Sequence, residues 1–421
     1  MRNGIATLTF IVIGALATGA FAAPLGAADF RPTPERPFGW RGDGTGSFPG
    51  AAPVTDWSET RNIKWSATVG TGFASPVFAG DLVIVFSEPG TVVALGAVDG
   101  RVRWRAVAGP DDLPDPADRA AAREYEPPKD GAGFAAATPV TDGRSVYVVL
   151  ASGIVRALDV ATGKPAWARY VPTPQNTGYG RSASPVLAGG RLFVHLTNLH
   201  ALDPATGKDV WVNEDAKSTY GTPVVTRVGH TDVLVTPAGD VVRAADGKTL
   251  ATGLASVTHP SPVAAGATVF VAEGQVCATR LSDKFKDDQV WDFRLDGDVF
   301  GSPVLHGGRV LIVTGAGELF AFGTAAKGTL EHPALRRRLF APPAEEGGGG
   351  GVPTVYASPA LAGNHLFVTS TRGETVVLEA GPEMKEVARN RLPRGGAGGS
   401  PVFSGDRMWI RDGEKLYCIG R

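Results

Sequence analysis

The sequence predicts an all-β fold: an eight-bladed β-propeller of four-stranded antiparallel blades, closed by an N-terminal strand that completes the last blade. Three observations predict it. A Ser/Thr-Pro pair recurs at Ser75-Pro76, Thr138-Pro139, Ser184-Pro185, Thr222-Pro223, Ser261-Pro262, Ser302-Pro303, Ser358-Pro359 and Ser400-Pro401, a spacing of roughly forty residues. Between the pairs lie short apolar runs and turn residues, and a total of 56 Gly and 32 Pro favours tight turns over long helices. Finally, 421 residues exceed the roughly 250 to 300 at which one hydrophobic core stops growing, a length that suggests two or three domains unless the chain is a repeat array, and the repeat makes one closed array the better reading.

From the N-terminus, MRNGIATLTFIVIGALATGAFAAPLGAADF sets Arg2 before an apolar run from Ile5 to about Ala20. Small residues follow at Ala20 and Ala22, and again at Gly26, Ala27 and Ala28. This is the pattern of a secretory signal peptide, assigned to residues 1–28, and it predicts a soluble periplasmic or secreted product with no transmembrane segment after cleavage. The run is short and rich in Gly and Ala for a membrane span, and no nearby cysteine offers a lipid attachment point. Residues 29–59 read as a Pro- and Gly-rich N-terminal arm in which Arg41-Gly42-Asp43 makes a turn. Trimming the arm up to Trp57 is expected to leave the ring closed. Residues 60–421 then form a single propeller.

One unit is displayed by residues 182–211, SASPVLAGGRLFVHLTNLHALDPATGKDVW. SPVLA is a strand, Gly189-Gly190 a turn, RLFVHLT a second strand and LHALD a third; Thr206-Gly207-Lys208 is a hairpin leading into DVWVN. Four such strands make a twisted blade with apolar side chains on both faces, which only two neighbouring blades can bury. The last repeat, SPVFSGDRMWIRDGEKLYCIGR, stops after three strands, whereas NIKWSATV at 62–69 is an outer strand with none before it. The two fragments complete one another.

The phrase ALDPATGKDVW at 201–211 recurs as ALDVATGKPAW at 157–167 and ALGAVDGRVRW at 94–104. It resembles the tryptophan-docking motif of the pyrroloquinoline quinone (PQQ) dehydrogenase-like propeller family, which includes BamB-type non-catalytic propellers, and the resemblance spans about 60–421. It implies that Trp65, Trp104, Trp167, Trp211 and Trp291 are structural, each ring lying flat between neighbouring blades. A large ring also suits the widening gap at the rim, where its buried N–H needs an acceptor. KTLATG at 248–253 and the sixth and seventh blades lack the tryptophan, so those junctions are expected to be less tightly locked.

Lys plus Arg, 41, nearly cancel Asp plus Glu, 42, which gives no electrostatic ground for nucleic acid or an anionic membrane as partner. The turns between first and second and between third and fourth strands read as uniformly tight. The long insertions, roughly 108–135 with a short helix at 115–125, 171–181, and 341–356 with the Gly347–Gly351 run, all join one blade to the next and so share one face. Elaborated loops on a rigid scaffold mark a recognition face. Three residues before the repeat prolines stand Phe73, Tyr220, His259, Phe300 and Tyr356, which start innermost strands on that same face and are candidate ligand-binding residues at the channel mouth.

No catalytic residue emerges, because the chain has no GxSxG, Walker loop or HExxH. His195 and His200 are spaced poorly for a metal pair, and no metal site is expected. Cys277 and Cys418 sit in separate apolar strands and read as buried, inert thiols. The expectation is an exported, monomeric, non-catalytic binding or scaffold protein without a cofactor, whose partner is an unidentified envelope protein or small ligand. The alternative implied by the resemblance is a PQQ-dependent or other small-molecule oxidoreductase holding PQQ with calcium in the channel. Against it, the adjacent-cysteine disulfide of the quinoprotein dehydrogenases is absent, and no calcium-binding set or Asp base maps onto a motif-matched position.

Overall fold

The computed structural model describes residues 22–129, 131–173, 178–254, 256–341, 354–393 and 399–421. Most of the expected signal peptide and the Gly347–Gly351 run lie outside them. Eight sheets, one per blade, carry the fold. In blade 1 the strands Val77–Ala79, Leu82–Ser87, Thr91–Gly96 and Val102–Val107 pair in chain order from axis to rim. The inner three are nearly continuous apolar runs buried on both faces, whereas VRWRAV at the rim buries chiefly Trp104. That gradient is what stacking on two neighbours dictates. Blades 2 to 7 open with Val140–Thr141, Val186–Ala188, Val224–Val228, Val263–Ala265, Val304–His306 and Ala360–Ala362.

Blade 8 is Val402–Ser404, Arg407–Asp412 and Lys415–Ile419, with Ile63–Thr68 as its fourth strand. Trp65 pairs with Cys418 and Thr68 with Lys415, so the N-terminal strand closes the ring as the sequence predicts. The buried Arg411 guanidinium of blade 8 ties it to blade 1, donating to the carbonyls of Phe86 (2.9 Å) and Gly70 (2.6 Å) and to Ser87 Oγ.

In blade 6 the turn between third and fourth strands is not tight, contrary to expectation. Residues 324–334 separate Glu318–Gly323 from Leu335–Arg338, and Gly328–Thr329 within them pairs in parallel with Trp291 and Asp292 of blade 5. This excursion gives blade 5 a fifth strand and leaves Trp291 with 0% exposure. Blade 7 also gains a strand, at its inner edge, where Ser47–Phe48 of the arm runs parallel to Leu361 and Ala362.

The arm is therefore part of the core rather than a dispensable extension. Phe38, Phe48 and Trp57 are each at most 3% exposed. Phe38 meets Phe78 of blade 1 edge-on at 5.5 Å, Phe48 packs on Phe403 of blade 8 at 5.3 Å, and Trp57 stacks on Phe367 of blade 7. Asn390 holds the Trp57 amide through its side-chain oxygen and donates to the Thr55 carbonyl. Inner strands of several blades converge at the axis and leave a hole there. Apolar residues of the arm fill it, so trimming to Trp57 uncovers the ring's centre. Within 22–28, Leu25 is buried and Gly26 accepts from the Gly405 amide at 2.7 Å, so this stretch, assigned from sequence to the signal peptide, packs on blade 8.

Candidate functional site

At the face where inner strands begin, the eight Ser/Thr of the repeated pairs surround one axial cavity of about 140 Å³. Their hydroxyls form a belt. The amide of Ser75 donates to Thr138 Oγ1 (3.0 Å), Thr138 to Ser184 Oγ (3.0 Å), Ser184 to Thr222 Oγ1 (2.9 Å) and Thr222 to Ser261 Oγ (2.8 Å). Ser261 donates to Ser302 Oγ (2.8 Å), Ser302 to Ser358 Oγ (2.9 Å), and Ser400 back to Ser75 Oγ (3.0 Å). Each link joins one blade to the next, replaces a water hydrogen bond lost on burial, and contributes about 0.5 to 1.5 kcal/mol. The small residue before seven of the eight hydroxyls, with Pro260 before Ser261, follows from crowding: a Cβ at Gly221 would lie 2.3 Å from the Pro260 carbonyl oxygen.

All five sequence-predicted aromatic positions line this cavity. Four of them, Tyr220, His259, Phe300 and Tyr356, form a continuous crescent. Tyr220 stacks on His259 at 5.3 Å and 19°, His259 meets Phe300 at 5.2 Å and 65°, and Phe300 meets Tyr356 at 4.8 Å and 62°. Phe73 lines the cavity apart from the crescent and is 51% exposed. Tyr179, from the insertion between blades 2 and 3, extends the crescent by contacting both Tyr220 and His259. It carries no repeat signal, and sequence reasoning missed it.

Trp40 was missed as well, and it decides the shape of the site. It lines the mouth cavity and also a second cavity of about 320 Å³ between the arm and the inner strands of blades 3 and 4. The channel is thus divided by an indole from the arm. Its neighbour Arg41 forms the tight Gly39–Gly42 turn at φ 55° and is 1% exposed. Arg41 donates to the Pro303 carbonyl at 2.7 Å and lies against the Trp40 ring at 5.2 Å. Burial pulls the guanidinium down to about 9, with Asp43 opposing.

The only carboxylate that reaches the crescent through a hydrogen bond is Glu273, among the described residues. Burial would raise its pKa, but His259 Nδ1 at 2.8 Å and the amides of Thr258 and His259 outweigh that and hold it below the usual range. On the opposite side, Glu88 accepts from the Phe134 and Ala135 amides at 2.8 and 2.9 Å and fixes the first insertion. That insertion carries the expected helix, Pro116–Glu124, capped by the Asp115 side chain.

A calcium-quinone site does not fit these residues. Among the described residues no three His, Cys, Asp or Glu side chains gather to hold a metal. The mouth presents hydroxyls and rings, and Trp40 occupies the axis below them. His195 and His200 diverge, with His195 opposite Leu199 and His200 opposite Val194 across the hairpin. His195 is buried on the Ala216 carbonyl and His200 pairs with Asp209 at 2.9 Å. Cys277 and Cys418 are free and buried, and burial pushes their thiols up to about 11 and about 12.

At the rim, four of the five tryptophans singled out from sequence share one geometry. Trp65, Trp104, Trp167 and Trp211 donate Nε1–H to Ala97, Val160, Pro204 and Ala244 of the next blade at 2.8 to 3.2 Å. Their rings cover Gly100, Gly163, Gly207 and Gly247 so closely that a Cβ there would sit 2.5 Å away. A one-residue bulge falls immediately before each of these tryptophans and before Trp291 and turns the ring toward its neighbour. Trp291 is covered instead by the blade 6 excursion.

The family described as outer membrane protein assembly factor BamB matches residues 51–256 and 237–338. Among solved structures, BamB from Moraxella catarrhalis superimposes with a TM-score of 0.61 at 14% identity, covering 85% of this chain and 97% of that one. Quinohemoprotein alcohol dehydrogenase from Comamonas testosteroni gives 0.58 at 12% identity, over 91% of this chain and 80% of that one. The computationally designed Ika8 protein gives 0.57 at 9% identity, over 84% and 99%. These identities speak to the fold alone. No curated protein sequence matches, and no helix among the described residues is long and apolar enough to cross a membrane.

Proposed function

The chain belongs to the outer membrane protein assembly factor BamB family, and from that premise we propose an exported, non-catalytic propeller that binds a cell-envelope partner, a protein or a small ligand, at its insertion-bearing face and channel mouth. In this reading the N-terminal segment directs export to the periplasm or beyond, and the chain works as a monomer. The observation that carries the reading is the crescent itself: insertion residue Tyr179 contacts Tyr220 and His259, placing the elaborated loops and the axial cavity in one continuous surface. Rigid inner strands preorganise such a surface, so little order has to be gained on binding.

Photo-crosslinking in intact cells tests it. A benzophenone amino acid replacing Tyr179 is expected to give a discrete adduct, and one at Gly80 or Gly266, in turns joining first to second strands on the other face, is not. The adduct should fade in Phe300→Ala and Tyr356→Ala. Equal labelling from both faces, or none from the mouth, refutes the proposal. The oxidoreductase reading draws support from fold similarity only, and protein mixed with PQQ and calcium is expected to oxidise neither alcohols nor sugars.

A further inference from the structure

We propose that the channel mouth is a saccharide subsite, taking one neutral pyranose unit at the end of a glycan. The inference rests on the binding reading above and names the ligand class. Four observations carry it. The first is charge: lining side chains are aromatic, hydroxylic or small, and among the described residues the one acid hydrogen-bonded to them, Glu273, is engaged by His259 and two amides, while the Arg41 guanidinium lies on the Pro303 carbonyl behind Trp40 and outside the lining. A charged ligand would find no counter-charge in the lining itself, and its lost hydration would be poorly compensated.

The second is donor chemistry. In seven belt links the hydroxyl oxygen accepts a neighbouring amide, yet each hydroxyl keeps its own proton to donate. A ring of O–H donors around one axis calls for a ligand rich in oxygen acceptors. The third is ring geometry. Neighbouring rings of the crescent meet at 57° to 69°, except for the stacked Tyr220–His259 pair. Such a wall has no parallel slot for a flat heteroaromatic ring, whereas the C–H bonds of a puckered sugar meet ring faces at varied angles.

The fourth is shape. The cavity, about 140 Å³, ends on Trp40, and the positions corresponding to the crescent in blades 2 and 3 are Ala136 and Ser182. A unit seated on Trp40 meets the rings of blades 4 to 7 on one side and the small side chains Ala136 and Ser182 on the other.

The test uses the full chain and defined probes: methyl glucoside, N-acetylglucosamine, cellobiose and chitobiose, with glucosamine and glucuronate as charged analogues. Saturation-transfer NMR is expected to detect at least one neutral probe at millimolar concentration. Phe300→Ala and Tyr356→Ala should each weaken it by roughly two- to tenfold, one aromatic contact's worth. Trp40→Phe should retain binding and lose the accompanying change in indole fluorescence. The proposal is overturned by silence from every neutral probe, by preference for the charged analogues, by phenylalanine amide binding in their place, or by affinities indifferent to both alanine changes with folding intact. A Tyr179 adduct that persists while all saccharides fail removes the saccharide and spares the binding reading; loss of both removes both.

Discussion

Replacing Gly163 by alanine and Trp104 by alanine, separately and together, measures whether the rim tryptophans act by seating on the next blade's hairpin glycine. Trp104 is 8% exposed and donates to the Val160 carbonyl at 2.8 Å; its removal should cost about 3 to 5 kcal/mol by the large-to-small penalty. A Cβ on Gly163 would fall 2.5 Å from Trp104 Cε3 while the backbone sits at φ +69°. The left-handed backbone costs about 1 to 2 kcal/mol and the overpacking about 1 to 3, so Gly163→Ala should lose about 2 to 5. Without the indole the clash disappears and only the backbone cost stays. The double variant should therefore lose about 4 to 7 kcal/mol rather than the additive 5 to 10, a coupling of about 1 to 3. Urea unfolding followed by circular dichroism reads all four proteins without relying on indole fluorescence. Losses that add to within about 0.5 kcal/mol would refute direct seating and leave the tryptophan a generic filler.

Three further outcomes follow from the same structure. Trp57→Ala should lose about 3 to 5 kcal/mol by opening its seat on Phe367 and Asn390 of blade 7, and deletion up to Trp57, which also removes Phe38 and Phe48 from the axis, should melt well below the full chain in calorimetry. Burial holds His195 at about 4 against its ordinary 6.5, with the Ala216 hydrogen bond opposing. The unfolded chain therefore binds the proton first, stability is lost as pH falls between those values, and the loss approaches about 3 kcal/mol. His195→Gln should flatten that stretch of a stability-against-pH curve. Under the proposed export, cleavage is expected after Ala22 rather than after Ala28, because Leu25 is buried and Gly26 bonds Gly405. Intact mass of the exported protein distinguishes the two sites.

What the sequence made legible and what it hid divide along one physical line. Blade number, ring closure by Ile63–Thr68 and the five aromatic positions were readable because each belongs to the repeat, so one copy calibrates the next. The role of the repeated hydroxyls was harder to read. A Ser-Pro pair is a turn signal in isolation, and its function as an acceptor appears only when the neighbouring blade's amide is placed against it at about 3 Å. Trp40 was invisible for the opposite reason. It stands in a Pro- and Gly-rich segment with no periodicity, and it reaches the axis because Phe38 anchors that segment to blade 1 and Phe48 to blades 7 and 8 at the far end of the chain. Tyr179 likewise belongs to an insertion that no other blade copies. The belt and the rim tryptophans solve the same problem at two radii, polar where blades crowd and aromatic where they splay, and both recur because the junction recurs. Recognition cannot be built that way, since a site with the ring's own near-symmetry would orient no asymmetric ligand. The asymmetry comes from residues the repeat does not specify: Trp40 below, Tyr179 at one side, and rings on some blades where others keep Ala136 and Ser182.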